Sequence, residues 1–250
     1  MTRFLSASVA LAFSLIVTSF SGAAPFDHGL YDQLLHDHVQ AGKVDYAALQ
    51  HDKRLDTYLE QIAAADLDSQ SEKFACWINA YTLQLIVSSY PVNSIKEIPA
   101  PGQRAKPDDK ALWASPFAVV NHQALSLNAI ENDIIRPEFQ DPRIHFALVC
   151  AARSCAPLHS EAYVAAKLDD QLDVQARWFF RWLNNFDVAG RRAGLSPILD
   201  WYRDDFGSTD AALITYASRY VPTSIAPALA GQPGKWSITF QHYDWALNSQ

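Results

Sequence analysis

Ser69–Val87, SQSEKFACWINAYTLQLIV, decides the architecture. Ser69 is followed three residues later by Glu72, a capping-box pattern that marks a helix start because each residue can satisfy the other's backbone N–H. Phe74, Trp77, Ile78, Tyr81, Leu85 and Ile86 then cover nearly every side of the helix. A helix apolar all round is a buried one, so this segment is expected to cross the centre of the domain and to end before Pro91. Asn79 lies within it, and a buried amide must be hydrogen-bonded, either as a structural clamp or as a site group.

Leu30, Leu34, Leu35 and Val39 predict a first helix over 26–41 with Gly42 as its stop, and Leu55, Leu59 and Ile62 a second. On the C-terminal side, 102–113 is rich in Pro, Lys and Asp and reads as a surface loop. Residues 117–120 and 123–125 flank Asn121-His122 as a small hairpin. Ser126 then caps a short helix through Leu127, Ile130 and Ile134 that Pro137 stops, and the apolar run Ile144–Val149 reads as a buried strand. Helical periodicity returns at 168–183 and 211–220, and 236–245 alternates enough to be a last strand. Helices dominate, so the expected class is α+β, a helix-rich single domain over 25–250 with a small, mainly antiparallel sheet.

Residues 1–24 read as a cleavable signal peptide: Arg3, an apolar run from Phe4 to Phe20, then Ser21-Gly22-Ala23-Ala24 with small residues where a signal peptidase cuts. No Cys follows to take a lipid, so the expected address is periplasmic or secreted, with no membrane association after cleavage. The chain has 20 basic and 27 acidic residues; losing Arg3 leaves 19 against 27, a formal −8. That balance argues against nucleic acid as a partner and leaves a small molecule or another envelope component. Three Cys are too few for a disulfide scaffold, and the odd count leaves one thiol over if two pair.

Arg143–Leu158, RIHFALVCAARSCAPL, concentrates the reactive residue types. Cys150 and Cys155 allow three readings: a disulfide, which needs the chain to turn back between them; a reactive thiol at Cys155, at a turn where a thiolate is favoured; or two small buried hydrophobes. His145 is the nearest base for Cys155, although strand alternation would put it on the face opposite Cys150. Asp244 or Asn79 could orient such a base as the third member of a triad does. Glu131 and Arg136 in AIENDIIRP read as a brace between segments or as binding groups, and Tyr243 flanks Asp244 in HYDWALN. No cofactor is implied, and no metal set: His36 and His38 diverge on a helix, and Cys-x4-Cys lacks a second ligand pair.

Taken in order, FDHGLYDQLLHDHVQAGKVDYAAL, FACWINAYTLQLIV, SLNAIENDIIRP, RIHFALVCAARSCAPL, LSPILDWYRDDF and HYDWALN resemble the successive motifs of the domain of unknown function 547 family over nearly the whole mature chain. The family's Cys, four residues, Cys pattern matches Cys150 and Cys155, with Ala156 standing before Pro157 as a departure. Cys76 stands where the resemblance implies an aliphatic residue or Phe, which assigns it to packing. Such domains also occur without an export signal, which favours a site over a pure staple. The leading expectation is therefore a thiol-dependent hydrolase or an acyl or amide transferase, with Cys155 as nucleophile, His145 as base and the Ser154–Ala156 amides as oxyanion donors. The alternatives are a disulfide-stapled binding or scaffold protein and a redox-active dithiol protein.

Overall fold

The computed structural model describes residues 25–67, 69–89, 113, 116 and 118–250. The signal segment and the 102–112 part of the expected loop lie outside these residues; Trp113 lies within them and is fully buried. Among the described residues, no helix is long and apolar enough to cross a membrane.

The segment that opened the sequence reading is helix α4, Gln70–Ser89, in the numbering used from here. Its capping box is present: the Glu72 backbone N–H donates to Ser69 Oγ at 3.1 Å, and the Ser69 N–H donates to Glu72 Oε2 at 3.1 Å. Ala75, Cys76, Ile78 and Ala80 are fully buried on successive sides of it, so the rest of the fold wraps around this helix. Before it come α1 (Gly29–His38), the two-residue strands β1 (Val39–Gln40) and β2 (Lys43–Val44), α2 (Tyr46–Gln50) and α3 (Lys53–Ala63).

The first helix ends at His38 rather than 41, and Gly42 turns a hairpin rather than stopping a helix. Ala41 and Gly42 have φ of 50° and 78°, the paired positive values of a tight turn that matches strand twist. A side chain at Gly42 would set its Cβ 2.6 Å from Cβ and 3.0 Å from Cα of Pro157. Gly42→Ala therefore combines a left-handed backbone with overpacking, and is expected to lower stability by about 2 kcal/mol. Urea denaturation checks this; a change below about 0.5 kcal/mol would show that the Pro157 loop yields freely.

Strands β3 (Ala118–Val120) and β4 (Gln123–Leu125) form the expected hairpin about Asn121-His122, again with both φ positive. Ser126 Oγ accepts the Ala129 N–H at 3.1 Å and starts the next helix as read from sequence. That helix is π-helical over Ala129–Ile135 and does not stop at Pro137; it continues as α5 (Arg136–Phe139), whose first turn tolerates proline.

The run Ile144–Val149 is not a strand. Ile144–Ala147 is a single helical turn, α6, and the backbone becomes extended only at Leu148. The six residues have no period that separates a buried strand from a buried turn. Beyond it are α7 (Leu168–Trp182), the strands β5 (Asn185–Asp187) and β6 (Arg192–Leu195), α8 (Ile198–Trp201), α9 (Asp210–Ala217), α10 (Ala226–Gly231) and β7 (Ser237–Phe240). β6 pairs antiparallel with β5 and parallel with β7; the strand expected over 236–245 stops at Phe240. The α+β class and small, mainly antiparallel sheets are as read from sequence.

After Phe240 the chain becomes a strap over residues 151–154. The Ser154 N–H donates to Asp244 O at 3.2 Å, the Arg153 N–H to Ala246 O at 2.8 Å and the Asn248 N–H to Ala151 O at 2.9 Å. On its other edge the Val44 N–H donates to Asn248 O at 3.0 Å. The cysteine turn is thus clamped between the closing residues and the rest of the fold.

Candidate thiol site

Ala151, at φ 57°, reverses the chain just after Cys150, and the Cys155 N–H closes the turn on Ala152 O at 3.1 Å. This brings Cys150 and Cys155 within 2.7 Å of each other. The staple, one of the three readings of the pair, is not formed: both are free thiols, as is Cys76, which packs in the core. The Cys150 N–H donates to Cys155 Sγ at 2.8 Å, and Tyr243 OH lies 3.0 Å from Cys150 Sγ. Burial raises the cost of a thiolate at Cys150, but hydrogen bonds from Cys155, Tyr243 and the Ala152 N–H outweigh it and lower the thiol pKa below its ordinary value. Cys155 goes the other way, pushed well up by burial and by its bond to Cys150. The shift that eases thiolate formation thus falls on Cys150, whereas Cys155, the thiol expected to be nucleophilic, accepts the Cys150 N–H.

The two sulfurs line one small cavity with Tyr81, Glu131, His145, Tyr202 and Tyr243, of about 20 Å³. That leaves room for little more than one water molecule. Glu131, carried inward by the π-helical segment, is buried and accepts a hydrogen bond from Tyr81 OH at 3.0 Å. Tyr202 also hydrogen-bonds to it. On the surface side Trp201 packs against Tyr243 and Trp245, with ring centroids 4.7 and 5.5 Å away.

His145 sits on α6, where strand alternation does not apply, and its ring reaches the same cavity as Cys150. Its side chain is 1% exposed, stacks on Tyr202 at 3.8 Å and places Nε2 2.6 Å from Asp205 Oδ2. Arg136 braces a distant segment, as one of its two readings had it. It grips Asp205 with both Nε and a terminal nitrogen, at 2.8 and 2.9 Å. Arg136 and Asp205 line a second, outer pocket of about 260 Å³.

Asn79 and Asp244 stand elsewhere. Asn79 holds the Tyr163 backbone from both sides, its Oδ1 accepting the N–H at 2.9 Å and its Nδ2 donating to the carbonyl at 2.8 Å. Asp244 is half-exposed and organises the strap: its N–H donates to Ser154 Oγ at 2.9 Å and its carboxylate accepts the Ala246 N–H at 2.9 Å. Neither orients His145; Asp205 does. The expected oxyanion donors Ser154 and Cys155 already give their N–H groups to Asp244 and Ala152.

Residues 65–180 match the family described as "Protein of unknown function, DUF547". That stretch is similar to the DUF547 family. No curated protein and no solved structure matches the chain. The match is shorter than the resemblance read from sequence, and the site straddles its edge. The DUF547 stretch contributes Tyr81, Glu131, His145, Cys150 and Cys155, whereas Trp201, Tyr202, Asp205 and Tyr243 come from beyond it. Asp205 and Tyr202, both in the quoted LSPILDWYRDDF, were missing from the candidate residues. Their partner lies some 60 residues away, and no local pattern announces a pairing at that separation.

Proposed function

We propose that Cys150 and Cys155 form a redox-active dithiol, cycling between two thiols and a reversible disulfide. The observation that carries this reading is the contact between two thiols of opposite character within a turn already closed around them. A thiolate donor, an adjacent protonated partner and a backbone that need not move are what thiol–disulfide chemistry requires. The exported address read from residues 1–24 fits, because oxidation is the default in that compartment.

Redox titration of the full chain in dithiothreitol buffers tests it, with thiols counted after unfolding. Two of the three thiols are expected to titrate together, at a potential between roughly −270 and −120 mV. Three thiols at every poise would sink the reading, and a midpoint below about −300 mV would make the pair a staple. Tyr243→Phe removes a donor from the Cys150 thiolate, so its alkylation by iodoacetamide at neutral pH is expected to slow about tenfold. An unchanged rate would mean that Tyr243 does not tune Cys150.

A second reading, hydrolysis or acyl transfer through a Cys150 thiolate, is favoured by one observation. His145, oriented by Asp205 at Nε2, faces the same cavity with its other nitrogen unassigned, as a general base would. The engagement of the Ser154 and Cys155 amides, two of the three expected donors, and the small cavity weigh against it.

A further inference from the structure

We propose that the oxidant this pair consumes is a small hydroperoxide, of the size of hydrogen peroxide. The inference rests on the dithiol reading and deepens it by naming the substrate class. Cys150 and Cys155 are each only 3% exposed, so a protein disulfide or a glutathione-sized one aligns its sulfurs with theirs far less readily than a water-sized molecule reaches them. Attack on a disulfide needs the incoming S–S bond in line with the thiolate, which demands an open approach. The cavity beside the sulfurs favours a ligand close to water in size, and hydrogen peroxide is the smallest of the hydroperoxides. Its exposed lining is mostly apolar, with Tyr81 and Tyr202 both bonded to Glu131, so the hydroxyl that meets a ligand beside the sulfurs is that of Tyr243, 3.0 Å from Cys150 Sγ.

The chemistry balances within that cavity. The Cys150 thiolate attacks one oxygen of H–O–O–H; the O–O bond breaks, and Cys150 becomes a sulfenic acid. The departing hydroxide takes the proton of Tyr243 OH, which lies against the same sulfur. Tyr243 is reprotonated by the Cys155 thiol, and the resulting thiolate attacks the sulfenic sulfur, forming the S–S bond and expelling a second hydroxide. That hydroxide leaves as water on gaining one proton from solvent. The sum is thiolate, thiol, hydrogen peroxide and one proton giving a disulfide and two waters, with sulfur oxidised and peroxide oxygen reduced. A small dithiol reductant resets the pair.

The test uses the full chain, reduced and freed of reductant, exposed in parallel to hydrogen peroxide, cumene hydroperoxide and oxidised glutathione. Thiols are counted after unfolding, and peptides are mapped by mass. Hydrogen peroxide is expected to reduce the count from three thiols to one, closing Cys150 to Cys155 at least about tenfold faster than either larger oxidant. In Cys155→Ser the reaction should stop at a Cys150 sulfenic acid, trapped by dimedone, while Cys76→Ser should react as the unaltered chain does. Mapping of the unaltered chain stands alone if Cys155→Ser does not fold. Faster closure by cumene hydroperoxide or oxidised glutathione would overturn the substrate class and leave the dithiol standing. Closure by none of the three would overturn both, and dimedone adducts on Cys76 instead of Cys150 would overturn the assignment of the peroxide-reacting sulfur.

Discussion

Between pH 6.5 and pH 4 the folded chain is expected to lose about 3 kcal/mol of stability through one residue, His28. Its imidazole is buried beneath Tyr58, and burial lowers its pKa to about 4, against small opposing pulls from Asp27 and Glu72. Hydrogen bonding gives the same answer independently. Tyr163 fixes the Asn79 amide with its oxygen on the peptide N–H and its nitrogen on the carbonyl, so Asn79 can only donate to His28 Nδ1, at 3.2 Å. An Nδ1 that receives an N–H cannot carry a proton itself, so the folded state needs neutral His28. In the unfolded chain the ring protonates near 6.5, so below that pH the unfolded state binds the extra proton and stability falls; below 4 both states are protonated and the loss levels off. Urea denaturation at pH 7 and pH 4.5 measures the drop. In His28→Gln the drop should shrink by about 2 kcal/mol, and an equal drop in both chains would refute the assignment.

Removing the Asp205 carboxylate should be as costly. Asp205→Ala leaves a two-pronged guanidinium and a fully enclosed imidazole without their common acceptor, and is expected to destabilise by about 3 kcal/mol. Burial alone would raise the Asp205 pKa, but hydrogen bonds from His145 and Arg136 outweigh it and hold the carboxyl well below the usual range. A depressed carboxyl contributes stability above its unfolded pKa near 3.9 and loses it as pH falls toward the folded value, so this loss begins where that of His28 ends. A double-mutant cycle with Arg136→Ala separates the pair from the rest; coupling below about 0.5 kcal/mol would show that the bidentate contact contributes little.

The contrast between these residues explains what the sequence made legible. Ser69 with Glu72, and Asn121-His122 with two positive φ values, are devices completed within four residues, so their side chains suffice to name them. The all-round apolar surface of α4 carried the central helix in the same way. Ile144–Val149 misled because a buried turn and a buried strand ask for the same residues, and tertiary contacts with Tyr202 and Asp205 decided between them. Residue type identified Cys150, Cys155, His145, Glu131 and Tyr243, all of which line the cavity. What type could not supply was direction: which thiol the hydrogen bonds favour as a thiolate, which acid orients the histidine, and that Asn79 and Asp244 serve the scaffold elsewhere.

The strap over the cysteine turn also imposes an order in time. Cys150 and Cys155 leave the ribosome some 90 residues before Tyr243 and the carbonyls that clamp their loop. At roughly 5–20 residues per second that gap lasts several seconds, during which the pair has neither its hydroxyl donor nor its enclosure. Until the last residues dock, the two thiols lack the Tyr243 hydroxyl and the backbone clamps of the strap. Ribosome-stalled chains ending before residue 243 are therefore expected to exchange with glutathione faster than the finished protein does.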